Sequence, residues 1–134
     1  MDIYSREKRS EVMSKVRSSG TGPELTVRRQ LHSQGFRFRL HDKELPGKPD
    51  IVLPKYRSVV FVHGCFWHHH TGCPKSKLPT SNAEFWTEKI LANVRRDRRN
   101  ISELKRLGWR VLVIWECDIR TGKYLGKLNR FFRR

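Results

Sequence analysis

The chain has 134 residues, 29 Lys and Arg against 13 Asp and Glu, a formal net charge of +16, and 37% apolar residues. This length fits one domain that buries a core without disulfides. The apolar content excludes general disorder, and a positive charge spread along the whole chain selects a polyanion, nucleic acid first, over a membrane surface. No stretch is long enough to span a bilayer, and no lipidation signal appears. Residues 1–9 are polar and charged, unlike a signal peptide, and three cysteines make an odd number. A disulfide framework is therefore not expected, and a reducing, cytoplasmic setting is.

Residues 5–18 read as a helix whose apolar side holds only Val12, Met13 and Val16. Such a thin face suits an arm (1–20) ahead of a folded domain (21–134). The run Ser18-Ser19-Gly20-Thr21-Gly22-Pro23 breaks the chain, and Thr21 with Glu24 has capping-box spacing for a helix to about Gln34, stopped by Gly35. Residues 36–40 alternate apolar and basic, as a half-exposed strand does. Pro46-Gly47-Lys48-Pro49 is a rigid turn, and Asp50 stands at the mouth of a short strand, 51–53, closed by Pro54. A second strand, 56–62, is apolar enough to be central, and 74–80 is a loop. Ser81 and Glu84 suggest another capping box, opening a long helix that ends at Leu107 before Gly108. Residues 109–115 form a buried strand with Cys117 just beyond it, and one short helix closes the chain through Phe132. The order α-α-β-β-β-α-β-α gives an α/β fold with a mixed central sheet flanked by helices.

The chemistry concentrates where the second strand runs out, in F-V-H-G-C-F-W-H-H-H-T-G-C at 61–73. Cys65, His70, Cys73 and Cys117 make a Cys3His set, which suits a closed, structural zinc site. The spacing favours His70 without deciding among His68, His69 and His70, and three free thiols are the alternative. Asp50 offers a hard oxygen for Mg2+ beside a scissile phosphate, or is simply a turn aspartate. On the long helix the inward stripe reads Ala83, Trp86, Ile90, Val94, Asp97, Ile101, Leu104. A carboxylate in that stripe needs a partner, either a histidine or the neighbouring arginines. The capping position of Glu24 already accounts for it. Phe66 and Trp67 cannot both be buried easily in a polar loop and could wedge into a base stack, with Trp86 near them or packed in the core. Met13 could also act as a wedge or dock its helix. Arg95, Arg96, Arg98 and Arg99 flank Asp97 on the outer face and suit phosphate contacts or a solvated helix.

Together these residues resemble the very short patch repair (Vsr) endonuclease family, whose members nick DNA at T:G mismatches. The resemblance rests on P-E-L at 23–25, L-P-G-K-P-D-I-V at 45–52, the H-G-C-F-W-H-H-H block, E-F-W-T-E-K-I at 84–90, N-V-R-R-D-R-R from Asn93, and L-G-W-R-V-L-V-I-W-E-C ending at Cys117. It implies a fold related to type II restriction endonucleases. Asp50 and the Val62 carbonyl would hold Mg2+, His68 paired to Asp97 would be the general base, and His63 and Glu24 would support them. His70 would go to zinc, while Phe66, Trp67, Trp86 and Met13 would insert beside the mismatch. Val62 stands where the family usually has Thr, and Thr71-Gly72 fills a gap that is usually one residue. The implied partner is double-stranded DNA with a T:G mismatch. Mismatch-repair proteins are candidate partners, and a monomer is expected because one site nicks one strand. A restriction-type nuclease cutting matched duplex and a non-catalytic zinc-containing DNA-binding module are the alternatives.

Overall fold

A computed structural model describes residues 22–133. The expected arm, Met13 within it and the cap residue Thr21 lie outside the described residues. A four-stranded sheet holds β1 (Arg39–Leu40), β2 (Ile51–Leu53), β3 (Ser58–His63) and β4 (Arg110–Trp115) in the order β1-β2-β3-β4. β2 runs antiparallel to β1 and β3, and β4 runs parallel to β3. Parallel neighbours need a long crossover, here the 24-residue helix α2 (Ala83–Arg106). The other helices are α1 (Gly22–Ser33), α3 (Glu116–Thr121) and α4 (Lys123–Phe131).

The two-residue period of the strands splits the core between two faces. Ile51, Leu53, Val60 and Ile114 pack with Val27 and Leu31 of α1, Leu128 of α4 and Phe132. Val52, Val59 and Phe61 pack on the other face with Leu104 of α2. Strands covered on both faces read as continuous apolar runs, as 51–53 and 58–62 do. Each fully buried Leu or Ile contributes about 1.5–3 kcal/mol relative to exposure. The expected mixed sheet flanked by helices is what forms.

Several details differ from the sequence reading. The strand expected to be buried over 109–115 is buried only at Ile114, and the strand expected from Tyr56 begins at Ser58, after a 3-10 turn over Pro54–Tyr56. The strand expected over 36–40 pairs only at Arg39 and Leu40, because Pro54 ends β2 after three residues and has no N–H to extend the ladder. The capping box at Ser81 does not form. Asn82 takes the cap position in a left-handed conformation without a side-chain cap bond, and Ala83, placed in the inward stripe, is exposed. The single closing helix is two helices, divided at Gly122, whose φ of 81° ends α3.

The sheet topology also sets where chemistry collects. β3 and β4 both end at one edge, with His63 opposite Trp115. β2 begins at that edge because it runs the other way, so Asp50, the loop after His63 and Cys117 meet there.

Candidate functional site

The parallel register explains the cysteine cluster. Cys65 lies two residues beyond His63 and Cys117 two beyond Trp115, so the pairing that sets these strand ends side by side also brings the thiols together. The loop between is a chain of turns: His68 N–H donates to the Gly64 carbonyl, His70 N–H to Cys65 and Cys73 N–H to His70. The last of these bridges Thr71-Gly72. One ligand atom from each of Cys65, His70, Cys73 and Cys117 lies within 4.8 Å of the others. His70 Nδ1 is 3.7 Å from Cys65 Sγ and 3.3 Å from Cys117 Sγ. A tetrahedral ion with bonds near 2.3 Å to sulfur and 2.1 Å to nitrogen separates its ligands by roughly 3.5–3.8 Å, so the set fits a four-coordinate, thiolate-preferring ion. Burial pushes the Cys65 thiol up to about 12 and pushes His70 below its usual range. The half-buried Cys73 is lowered, chiefly by the Lys75 backbone N–H. A cation bound here must displace thiol protons.

Beside this cluster stand His63, His68 and Asp97, again within 4.8 Å. His68 Nδ1 is 2.6 Å from Asp97 Oδ2. A carboxylate only accepts, so Nδ1 carries the proton and Nε2 keeps its lone pair. Asp97 therefore pairs with the histidine, while Arg95, Arg96, Arg98 and Arg99 are all exposed on the outer side of α2. The His63 ring lies flat on His68, centroids 3.8 Å apart and 4° between planes. Burial lowers His63 to about 3, with the His68 charge a second cause, so His63 is a neutral stacking partner. Trp115 bridges the two clusters: it meets His63 edge-on and stacks on His70 at 4.2 Å.

A third cluster holds Glu24, His41 and Asp50. Asp50 Oδ2 accepts the Val62 N–H at 2.7 Å. Burial pushes Asp50 up to about 7, against the lowering effect of that N–H. In an extended strand the N–H and C=O of one residue point to the same edge, so the Val62 carbonyl faces the Asp50 side. Glu24 is buried, bonded by Arg28 from the next turn of α1 and 3.2 Å from His41 Nε2. The turn that delivers Asp50 rests on α2: at Gly47, with φ of 76°, a Cβ would meet Asn100 Cβ at 3.0 Å.

Phe66, Trp67 and Trp86 form one half-buried aromatic group with centroids 5.1–5.9 Å apart. Phe85, 58% exposed, extends it, and the Lys89 ammonium sits 5.7–5.9 Å from three of the rings. Asn93 donates to the Trp67 carbonyl at 2.9 Å and accepts from Arg96. The structure thus brings Glu24, Asp50 and Val62, His63, His68 and Asp97, the four Cys3His residues, and Phe66, Trp67 and Trp86 into neighbouring clusters; Arg95, Arg96, Arg98 and Arg99 lie apart from them on the exposed side of α2, and Met13 lies outside the described residues. The sequence reading missed His41, Arg28, Asn93 and Trp115. Asn93 was readable as the residue four before Asp97 on the same helix face. His41 carried no local signal, because cross-strand register places it.

A family model described as DNA mismatch endonuclease Vsr matches residues 1–75. The type II nicking enzyme V.NmeAIP of Neisseria meningitidis is 50% identical over 133 residues, 98% of this chain and 94% of the relative. V.XorIIP, a type II nicking enzyme of Xanthomonas oryzae, is 53% identical over 88% of this chain and 86% of its own. The Escherichia coli DNA mismatch endonuclease Vsr is 49% identical over 89% of this chain and 76% of its own.

Proposed function

This chain belongs to the DNA mismatch endonuclease Vsr family, and from that premise we propose that it is a Mg2+-dependent, strand-specific endodeoxyribonuclease that nicks 5′ of the thymine in T:G mismatches and so initiates very short patch repair. The observation that carries the reading is the 2.6 Å bond from His68 Nδ1 to Asp97, made on a ring stacked against neutral His63. That arrangement fixes the tautomer, holds Nε2 outward and favours the imidazolium that forms when Nε2 takes a proton from the attacking water. His63 keeps the ring from turning.

Asp50 and the Val62 carbonyl are the groups that would hold Mg2+, which supplies charge stabilisation at the phosphoryl oxygens and leaving group when bound. Glu24 supports Asp50 from α1. Cys65, His70, Cys73 and Cys117 would hold a structural zinc, with no coordination position left for water. Its place in the fold is to tie the His-rich loop to the end of β4.

Substrate recognition follows from surface chemistry. Phe66, Trp67 and Trp86 are large rings outside the sheet core, suited to enter a base stack, and a wobble pair is cheaper to unstack than a matched one. Met13, from the arm, would enter from the opposite groove. Arg95, Arg96, Arg98 and Arg99 present four guanidinium groups to phosphates. The mixed sheet that carries the site is consistent with kinship to type II restriction endonucleases, and one site for one strand suits a monomer acting in the cytoplasm. No helix among the described residues is long and apolar enough to cross a membrane. The test is Asp50→Ala: nicking of a T:G duplex is lost while binding, measured by anisotropy, stays. A variant that still cuts would overturn the assignment.

A further inference from the structure

Trp115 is a large ring that belongs to neither of the two apolar cores. Its backbone is pinned. It stands opposite His63 at the last rung of the β3–β4 ladder. Its N–H donates at 2.9 Å to Oδ2 of Asp118, a buried carboxylate that also accepts from the Lys127 ammonium at 2.6 Å. Partners directly opposite in a sheet point to the same face, so the indole and the His63 ring emerge side by side.

Both ring contacts of Trp115 are with imidazoles. It lies flat on His70, centroids 4.2 Å apart and 5° between planes, and meets His63 edge-on at 5.3 Å and 74°. Stacked and edge-to-face are the arrangements that flat rings prefer. His63 in turn lies flat on His68 at 3.8 Å, and His68 carries the bond to Asp97. Four rings therefore run in contact from the thiolate cluster to the His68–Asp97 pair, in the order His70, Trp115, His63, His68.

A single bond at Nδ1 fixes one point of the His68 ring and leaves the rest able to swing about it. Nε2, across the ring, moves furthest. The flat contact with His63 removes that swing only if His63 is itself held. Phe61, two residues back on the same face of β3, touches the His63 ring at 5.4 Å and 49°, and Trp115 meets it from β4.

We propose that Trp115 is a positioning residue for nicking: braced on His70, it holds His63 against His68 and so fixes where His68 Nε2 points. The proposal rests on the reading of His68 as the general base. Zinc in the thiolate cluster would hold His70, and with it the ring on which Trp115 rests. Proton transfer needs Nε2 within hydrogen-bond reach of the attacking water, and a misplacement of about 1 Å can cost on the order of 100-fold in rate.

The test is single-turnover nicking of a T:G duplex with Mg2+ by zinc-loaded, full-chain protein, beside a binding isotherm, zinc content by elemental analysis and heteronuclear NMR of labelled histidines. Trp115→Leu keeps apolar bulk and removes the flat ring, and Trp115→Phe keeps a flat ring. The expected result is that Trp115→Leu slows nicking by about 10- to 100-fold while Kd stays within about 2-fold and zinc content is unchanged. Its His68 Nδ1–H signal broadens as the ring loosens from Asp97. Trp115→Phe recovers most of the rate and a sharp signal. Wild-type nicking by Trp115→Leu overturns the role. So does a loss spread equally over rate, Kd and zinc content in both variants, which marks Trp115 as structural only. His68→Ala separates the two readings. If it cuts like the wild type, the general-base reading fails and this inference with it. If it is inactive while Trp115→Leu cuts normally, the role of Trp115 alone fails.

Discussion

Replacing Asp97 with Asn keeps the size of the side chain and removes its charge. With His68 Nδ1 and Asp97 Oδ2 at 2.6 Å, the centres of an imidazolium and a carboxylate lie about 4 Å apart. At the effective dielectric of a site near the surface, that pair interacts by about 4 kcal/mol. The two side chains are 30% and 21% exposed, and screening reduces the figure to about 2 kcal/mol while the site is open. The attraction exists only after His68 has taken a proton, so its loss falls on the chemical step and not on DNA binding. About 2 kcal/mol is roughly 30-fold in rate, and about 4 kcal/mol, which applies if bound DNA excludes water, is roughly 1000-fold. Single-turnover nicking of a T:G duplex by saturating enzyme measures this directly, with a separate binding isotherm. The expected outcome is an unchanged Kd and a rate lower by a factor between those limits. A rate within about 3-fold of wild type, or a defect confined to binding, would refute the claim that Asp97 stabilises an imidazolium.

Burial raises Asp50 from 3.8 to about 7, so its contribution to stability is full below the lower value and lost as pH rises through the upper one. Mg2+ favours the ionised form, and the increase in Tm on adding Mg2+ to zinc-loaded protein should therefore grow from pH 5.5 to 8. A flat or reversed trend contradicts the assignment. His63 runs the other way: lowered from 6.5 to about 3, it costs stability as pH falls below 6.5, and His63→Gln should flatten that acid-side loss in a Tm series. Purified protein should carry one zinc per chain by elemental analysis. Stripping it, or replacing Cys65 with Ser, should lower Tm by about 10 °C or more and abolish nicking, since structural zinc contributes folding free energy outright. Gly47→Ala forces a left-handed alanine against Asn100, at about 1–2 kcal/mol before the clash is counted. Urea unfolding should show that loss, and nicking should slow more than stability alone explains, because the turn that carries Asp50 shifts.

The parts legible in the sequence were those that a local period or a dense motif encodes. The apolar runs at 51–53 and 58–62 were legible as strands because their burial on both faces leaves no alternation to misread; the run at 109–115 was legible as a strand by its apolar content, although only Ile114 of it is buried. Asp97 was readable as a carboxylate at a stripe position that demands a partner, and His68 supplies it. Termini were less legible. Ser81 and Glu84 have capping-box spacing, but the chain enters α2 through a left-handed Asn82, which spacing does not encode. Gly122 was the visible sign of two closing helices where one was expected. His41 was out of reach because a two-residue strand has no period, and only its register against β2 brings it to Asp50. Trp115 read as a buried strand residue; its place between His63, which it meets edge-on, and His70, on which it stacks, depends on β3 and β4 being parallel.

The proposed activity is Mg2+-dependent, strand-specific nicking at a T:G mismatch. Its most direct test uses a duplex with each strand separately labelled, one T:G pair in randomised flanks and a T:A control, with and without Mg2+. The expected result is one nick, 5′ of the mismatched thymine, only in that strand and only with Mg2+. Equal cutting of the T:A duplex would contradict mismatch specificity and point to a restriction-type nuclease. Binding without any cut would contradict catalysis and leave a zinc-containing DNA-binding module.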